Sequence, residues 1–124
     1  MDWSLLLFAL MMIESGGKDI VIGDGGKSYG CLQIQQCVID DVNRIYGANF
    51  VHREAFDKQK ALKIAMLYLS YQAKRYEKST GKPADFQILA RIWNGGPFGY
   101  RKPATLPYWF KVKKQIALLR AQKK

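Results

Sequence analysis

Two carboxylates in contrasting surroundings are the residues of this sequence best suited to chemistry. Glu14 is the first acid after the apolar run of residues 5–13, and apolar surroundings raise the pKa of a carboxyl group. Asp24 lies further along, inside the glycine-rich segment 23–26. A protonated acid and a second carboxylate are the groups that cleave glycosidic bonds. The pair therefore predicts general acid chemistry at Glu14, with Asp24 as its partner.

A second group of polar and aromatic residues lies near the other end of the chain. Residues 90–97 read Ala-Arg-Ile-Trp-Asn-Gly-Gly-Pro, so Asn94 and Gly95 would end a helix beside a turn. Amide side chains and flat aromatic rings are groups that recognise sugars, although such rings are also typical of a packed core. The aromatic candidates are Trp93, Tyr100, Tyr108 and Trp109.

Hydrophobic periodicity and helix-ending residues indicate the elements that position these groups. Glu14 would lie at the end of the first helix, which Gly16 and Gly17 terminate. Short β-prone runs around a glycine-rich turn in residues 18–34 predict a small hairpin or irregular β lobe. We predict helices over residues 3–14, 35–46, from near Asp57 to before Gly81, 85–94, and from after Pro107 to about 121. The fold class is therefore α+β, mostly α.

Composition limits the size of the protein and the class of its partners. A chain of 124 residues with 48% hydrophobic content is globular, and we expect residues 1–124 to form a single domain. The net charge of +10 favours polyanionic partners such as nucleic acid, anionic membrane or bacterial cell wall. The apolar run of residues 5–13 is too short to span a bilayer, and no Lys or Arg precedes it as in a signal peptide.

Metal and cofactor chemistry finds no support in the sequence. His52 is the only histidine, and no ligand cluster surrounds it. Cys31 and Cys37 have neither the spacing of a zinc or redox site nor a neighbouring base. We expect them to be buried small residues or a single short-loop disulfide. The glycines around Asp24 lack the spacing of a phosphate-binding loop, so we expect no cofactor and no metal.

Five segments together resemble invertebrate-type lysozymes in order and approximate spacing. They are Glu14-Ser15-Gly16, Asp24 with a following glycine, Gly30-x-x-Gln33-Ile34, residues 90–97, and Thr105-x-x-Tyr108-Trp109-x-x-Val112. The match covers most of the chain, and its last two segments are the most specific. Trp93 stands where the family has a histidine, and two cysteines remain where the family has many.

The resemblance implies a lysozyme-like fold with a sugar-binding cleft between a helical part and a small β-hairpin lobe. It also implies hydrolysis of the β-1,4 bond between N-acetylmuramic acid and N-acetylglucosamine in peptidoglycan. Glu14 then matches the general acid, and Asp24 matches the nucleophile or stabilising carboxylate. The implied substrate-binding residues are Ser28, Tyr29, Gln33, Trp93, Asn94, Gly95, Tyr100 and Tyr108.

The resemblance implies the glycan strands of peptidoglycan as the partner. It also implies that the protein acts at the bacterial cell wall, as a periplasmic, secreted or phage-released protein. We expect a monomer that neither inserts into membranes nor binds nucleic acid, with its charge attracting it to the acidic wall.

Two other functions stay open from the residues alone. Lytic transglycosylases share the Glu-Ser pair and the Gly-x-x-Gln segment, but they need one carboxylate and leave 1,6-anhydro products. This description applies if Asp24 is merely a turn residue. A non-enzymatic cationic module that binds cell wall, membrane or nucleic acid is the third hypothesis, supported by the basic tail Arg120-x-x-Lys123-Lys124.

Overall fold

The computed structural model describes residues 1–122, which form five α-helices and a small antiparallel sheet. Lys123 and Lys124 of the basic tail lie outside the described residues. The helices are α1 (Trp3–Ser15), α2 (Gln36–Tyr46), α3 (Lys58–Thr80), α4 (Phe86–Gly95) and α5 (Leu106–Gln122). The α+β, mostly helical fold class is confirmed, and each predicted helix is present with bounds shifted by one or two residues.

The helix ends follow from capping chemistry. The side chains of Asp2, Asp57 and Asp85 accept hydrogen bonds from backbone N–H groups in the first turns of α1, α3 and α4, at 3.1, 3.0 and 2.9 Å. Such caps satisfy donors that a helix start leaves unpaired. Gly16 ends α1 with a φ of 66°, a left-handed conformation that glycine adopts without strain.

The β lobe has three short strands, where the sequence predicted a small hairpin or irregular β lobe. The strands are β1 (Ile22–Gly23), β2 (Ser28–Tyr29) and β3 (Ile34–Gln35), in the order β1-β2-β3. Ser28 pairs with Gly23 on one side and with Gln35 on the other. The extra strand arises because Gly30 turns the chain back, with a φ of 82°. A side chain at Gly30 would collide with the carbonyl oxygen of Ala55.

The buried residues form one cluster around α1. This helix packs on α3, α4 and α5, while α2 packs on α3 and β3. The largest fully buried side chains include Leu6, Leu10, Ile39, Ile64, Leu69, Leu89, Ile92 and Val112. Most of the apolar run of residues 5–13 lies inside this cluster, whereas Phe8 and Met12 are exposed. The last turn of α1 then brings Glu14 from the core to the edge of the β lobe. Among the helices of residues 1–122, none is both long enough and apolar enough to cross a membrane.

Candidate active site

A cleft of about 520 Å³ lies between the β lobe and the helices, and Glu14 lines it. Asp24 lines it from the β lobe, so the two carboxylates that stood out in the sequence share one cavity. The remaining lining residues are Gln33, Gln35, Cys37, Val38, Tyr68, Trp93, Asn94, Gly95, Gly96 and Lys102. Residues from both ends of the chain therefore meet in this cleft.

The environment of Glu14 favours its protonated form. Burial raises the pKa of Glu14 above its ordinary value, and the nearby charge of Asp24 raises it further. Hydrogen bonding from Tyr108, and a smaller effect of Trp93, lower the pKa but do not cancel the rise. The Tyr108 hydroxyl donates to Glu14 Oε2 at 2.8 Å. The resulting group is a partly buried acid that a tyrosine holds in one orientation.

Ser15 fastens the end of α1 to the β lobe. Its hydroxyl is 2.7 Å from the carbonyl oxygen of Cys31, to which it donates, and it accepts from the N–H of Gly17 at 3.1 Å. Because Ser15 follows Glu14 directly, these bonds limit how far the acid can move relative to the lobe that carries Asp24. Ser15 therefore has a structural reason to adjoin the acid.

Asp24 occupies a more polar environment than Glu14. Its side chain is exposed, and the buried Ser28 hydroxyl donates to Asp24 Oδ2 at 2.5 Å. The amide of Gln35 lies 3.5 Å from the same oxygen. Asp24 also has a φ of 51°, an uncommon conformation for a residue with a side chain, which turns it out of the β1–β2 connection. The strand pairing of Ser28 with Gln35 brings both donors to one carboxylate oxygen.

Gln33 braces the β lobe at the floor of the cleft. Its amide nitrogen donates to the carbonyl oxygens of Val21, at 3.2 Å, and Gly30, at 3.0 Å. Its amide oxygen lies so close to Gly23 that a side chain at Gly23 would collide with it. Gln33 has a φ of 52°. Its amide nitrogen is therefore used within the protein, which makes Gln33 a residue that shapes the cleft.

The far wall of the cleft is held by hydrogen bonds around Thr105. The Thr105 hydroxyl accepts from Arg91 Nε at 2.8 Å and lies 2.7 Å from the carbonyl oxygen of Gly99. Arg91 also donates to the carbonyl oxygen of Lys102 at 2.9 Å, and Lys102 Nζ donates to that of Gly95 at 2.8 Å. Since α5 begins at the residue after Thr105, this network sets the position from which Tyr108 reaches Glu14.

The closeness of α4 to the following loop explains the glycine at position 95. A side chain at Gly95 would place its Cβ 2.5 Å from the Cγ2 of Thr105. The Asn-Gly-Gly-Pro and Thr-x-x-Tyr-Trp segments are thus in direct contact. The second motif therefore supports the residues of the first that line the cleft.

Curated proteins similar to this chain are lysozymes. The chain is 37% identical over 114 residues to a lysozyme of Magallana gigas, an alignment covering 90% of this chain and 79% of that protein. It is 35% identical to a lysozyme of Ostrea edulis, over 73% of this chain and 63% of that protein. It is 30% identical to a lysozyme of Meretrix lusoria, over 87% of this chain and 85% of that protein.

This chain belongs to the invertebrate-type lysozymes. No family model matches it. The resemblance inferred from five segments of the sequence is confirmed by these relatives, and so is the lysozyme-like fold class.

The lysozyme cleft includes most of the residues that the sequence singled out. Glu14, Asp24, Gln33, Trp93, Asn94 and Gly95 line it directly. Tyr108 and Ser28 do not line the cleft, but their hydroxyl groups donate hydrogen bonds to Glu14 and Asp24, respectively.

Tyr29 and Tyr100 were also candidates for substrate binding, but they lie away from the cleft. Tyr29 stacks on His52, with ring centroids 3.7 Å apart, and on Phe56 behind the β lobe. Alternation along β2 explains this placement, because successive side chains of a strand point to opposite faces. Tyr100 packs edge-on against Tyr76 in a separate recess. Aromatic residue type alone could not distinguish these positions from Trp93.

Sequence reasoning missed several residues of the cleft. Gln35 pairs with Ser28 across the sheet, a signal that appears only once the third strand is recognised. Tyr68 belongs to the apolar face of α3 and contacts Trp93 edge-on, with centroids 6.0 Å apart. Burial raises the pKa of Tyr68 to about 12, so its hydroxyl stays protonated. Lys102 lies in a turn that approaches Gly95, and no local sequence pattern indicates this approach.

The cysteines and the histidine occupy ordinary positions. Cys31 is a buried free thiol, which was one of the two expectations for it. Cys37 is a free thiol exposed at the cleft, so the expectation that it would be buried or form a disulfide was wrong. His52 lies at the start of a 3₁₀ turn and its Nε2 is 2.7 Å from the carbonyl oxygen of Ile34. Residues 1–122 contain no group of three His, Cys, Asp or Glu side chains that could hold a metal ion.

Proposed function

We propose that this lysozyme-family chain is a muramidase that hydrolyses the β-1,4 bond between N-acetylmuramic acid and N-acetylglucosamine in peptidoglycan. The observation that carries the proposal is the unequal pair of carboxylates in one cleft. Glu14 is partly buried with a raised pKa, whereas Asp24 is exposed and accepts hydrogen bonds. Glycoside hydrolysis needs one carboxyl group that keeps its proton and one that is ionised.

In the proposed reaction, Glu14 donates its proton to the glycosidic oxygen as the bond from that oxygen to the sugar carbon breaks. Asp24 stabilises the positive charge that develops on the sugar, or bonds to its anomeric carbon. A water molecule then attacks this carbon, and the carboxylate of Glu14 accepts a proton from it. The Tyr108 hydroxyl, 2.8 Å from Glu14 Oε2, keeps the other carboxyl oxygen free to face the substrate.

The walls of the cleft suit a polar, ring-shaped substrate. Trp93 offers an aromatic surface, while Asn94 offers an exposed amide at the end of α4. Gly96 also lines the cleft and has open space where a side chain would lie, so a sugar can approach its backbone closely. We assign Trp93, Asn94 and Gly95 to substrate binding, and Gln33 and Ser28 to holding the lobe and Asp24.

The test is turnover of purified peptidoglycan, with products identified by mass. Glu14→Gln keeps an acceptor for Tyr108 but has no acidic proton, so we expect turnover to fall at least about 100-fold. Asp24→Asn removes the second charge and should also abolish most hydrolysis. Matched controls are Glu77→Gln and Asp19→Asn, which make the same chemical changes at exposed positions and should keep full activity.

The products also decide between this proposal and the two alternatives. Hydrolysis yields free reducing ends, whereas 1,6-anhydro products from the unaltered protein would identify a lytic transglycosylase that uses Glu14 without Asp24. Wall binding that persists in Glu14→Gln, from a parent protein that never cleaves peptidoglycan, would identify a cationic binding module.

A further inference from the structure

A cluster of arginine and aromatic side chains lies on the surface between α3 and the loop after α4. The guanidinium carbon of Arg75 is 6.0 Å from the ring centroid of Tyr71 and 5.9 Å from that of Phe98. The guanidinium carbon of Arg101 is also 5.9 Å from the Phe98 ring. Phe98 is 52% exposed, although it is a large apolar residue. Two cations thus share one exposed aromatic ring.

The two arginines are free of carboxylate partners within residues 1–122. The ion pairs in this part of the chain join Arg44 to Asp41, Lys58 to Asp19 and Lys60 to Glu54. The sequence of α3 contains a single acid, Glu77, against five lysines and Arg75. A guanidinium that stacks on a ring still presents N–H donors along its edge, in a geometry that fits a phosphate group. The cluster is therefore a positive surface with unused donors.

A small recess adjoins Arg75. It has a volume of about 80 Å³, and its lining includes Gln72, Arg75, Ser79, Phe98 and Tyr100. Gln72 is only 3% exposed, so the recess reaches down to the buried side of α3. The recess has room for about two to three waters, which is the scale of one phosphate group.

We propose that Arg75, Arg101 and the recess beside Phe98 bind phosphate groups of an anionic, phosphodiester-linked polymer in the bacterial wall. One arginine lines the recess and the other lies outside it, so the surface suits successive phosphates of a chain better than a single free phosphate. Gly95 and Gly96 line the cleft, and Phe98 follows two residues later. A polymer bound here would hold the cleft close to the wall. This role of the site rests on the proposed function.

Nucleic acid fits this surface less well. Single-stranded nucleic acids bind by stacking bases on free aromatic faces. Here Phe98 contacts two guanidinium groups, and Tyr100 packs edge-on against Tyr76, with ring centroids 4.9 Å apart. The recess is also too small for a base. The surface offers donors for phosphate and few faces for stacking.

The experiment measures binding of the unaltered protein to poly(glycerol phosphate), and to bacterial walls before and after removal of their phosphodiester polymers. Arg75→Lys/Arg101→Lys keeps the net charge but loses the stacked, forked guanidinium groups. We expect it to bind the polymer about tenfold more weakly, because an ammonium group cannot make the same paired hydrogen bonds. The control is Lys113→Gln/Lys114→Gln, which removes two charges from exposed positions of α5 and should change binding less.

Each outcome bears on the site independently of the catalytic proposal. Equal polymer binding by the Arg-to-Lys variant and the unaltered protein, with both folded by circular dichroism, would reduce the effect to diffuse charge and overturn the site. Tighter binding of single-stranded DNA than of poly(glycerol phosphate) would overturn the choice of partner. Binding of inorganic phosphate as tight as that of the polymer would overturn the proposal that the ligand is a chain.

Hydrolysis of soluble glycan strands without phosphate should be unchanged in the Arg-to-Lys variant. If the unaltered protein cleaved none of them, the proposed function would fail while polymer binding remained measurable.

Discussion

Replacing Tyr108 with Phe should lower stability by an amount that depends on pH. The substitution keeps the ring and removes the hydroxyl that donates to Glu14 Oε2 at 2.8 Å. When Glu14 is protonated, the lost bond joins two neutral groups and contributes about 0.5–1.5 kcal/mol to the free energy of unfolding. When Glu14 is ionised, the bond is charge-assisted and contributes about 1.5–3 kcal/mol. Burial raises the pKa of Tyr108 well above its ordinary value, so this donor keeps its proton throughout.

The sign of the pH dependence follows from the raised pKa of Glu14. Its folded-state pKa lies above the unfolded value, so the stability it contributes is fully present below the unfolded pKa. That stability is lost as the pH rises through the folded pKa. Loss of the Tyr108 donor raises the folded pKa further, because that bond favoured the ionised form. The destabilisation by Tyr108→Phe should therefore increase once the pH passes the folded pKa of Glu14 in the unaltered protein.

Urea denaturation at a series of pH values measures this difference. The matched control is Tyr46→Phe, because the Tyr46 hydroxyl donates over the same 2.8 Å to an uncharged acceptor, the carbonyl oxygen of Leu67. The loss of stability in Tyr46→Phe should be independent of pH over the range in which Glu14 titrates. In activity assays the alkaline limb of kcat/KM should move to higher pH in Tyr108→Phe, since Glu14 keeps its proton longer. A destabilisation that stays constant with pH, or an alkaline limb that moves to lower pH, would refute the coupling.

Three further substitutions test the supports of the site. Ser28→Ala removes the 2.5 Å hydrogen bond to Asp24. On soluble glycan strands, kcat should fall about tenfold with little change in KM. An unchanged kcat would mean that Asp24 does not need this hydrogen bond. Gly95→Ala places a Cβ 2.5 Å from a methyl group of Thr105, which three hydrogen-bond contacts hold in place, so unfolding in urea should show a loss of about 1–3 kcal/mol. Ser15→Ala removes the hydrogen bond from Ser15 to the carbonyl oxygen of Cys31, which joins α1 to the β lobe. The free energy of unfolding in urea should fall by about 1–2 kcal/mol. An unaltered urea midpoint would contradict the role of Ser15 in joining the two.

The helices and the acid were readable from local patterns. The Asp residues that cap α1, α3 and α4, and the glycines that follow α1 and α3, act within a few residues of the helix ends. An apolar run that ends in a single acid likewise places Glu14 at the margin of a core wherever the rest of the chain lies. Such features depend on spacing along the chain, and the observed helix bounds differ little from the predicted ones.

The β lobe and the choice among aromatic rings were less accessible. The third strand depends on Gly30 passing close to Ala55, a contact between distant segments. Trp93 and Tyr100 are both aromatic residues in the same part of the sequence. Trp93 faces the cleft from the last turns of α4, whereas the turn after α4 places Tyr100 in the recess beside Tyr76. No periodicity encodes the direction of a side chain after such a turn.

Local sequence patterns were sufficient to predict the five helices, the family, and Glu14 as the acid most suited to donate a proton. The surroundings of that acid depend on the tertiary structure. Tyr108 lies 94 residues from Glu14 along the chain, and it reaches the carboxyl group because Arg91 and Thr105 set the start of α5. Asp24 likewise owes its orientation to Ser28 and Gln35, which pair across two strands. Hydrogen bonds between distant segments depend on which elements pack together, and local sequence patterns do not specify that pairing.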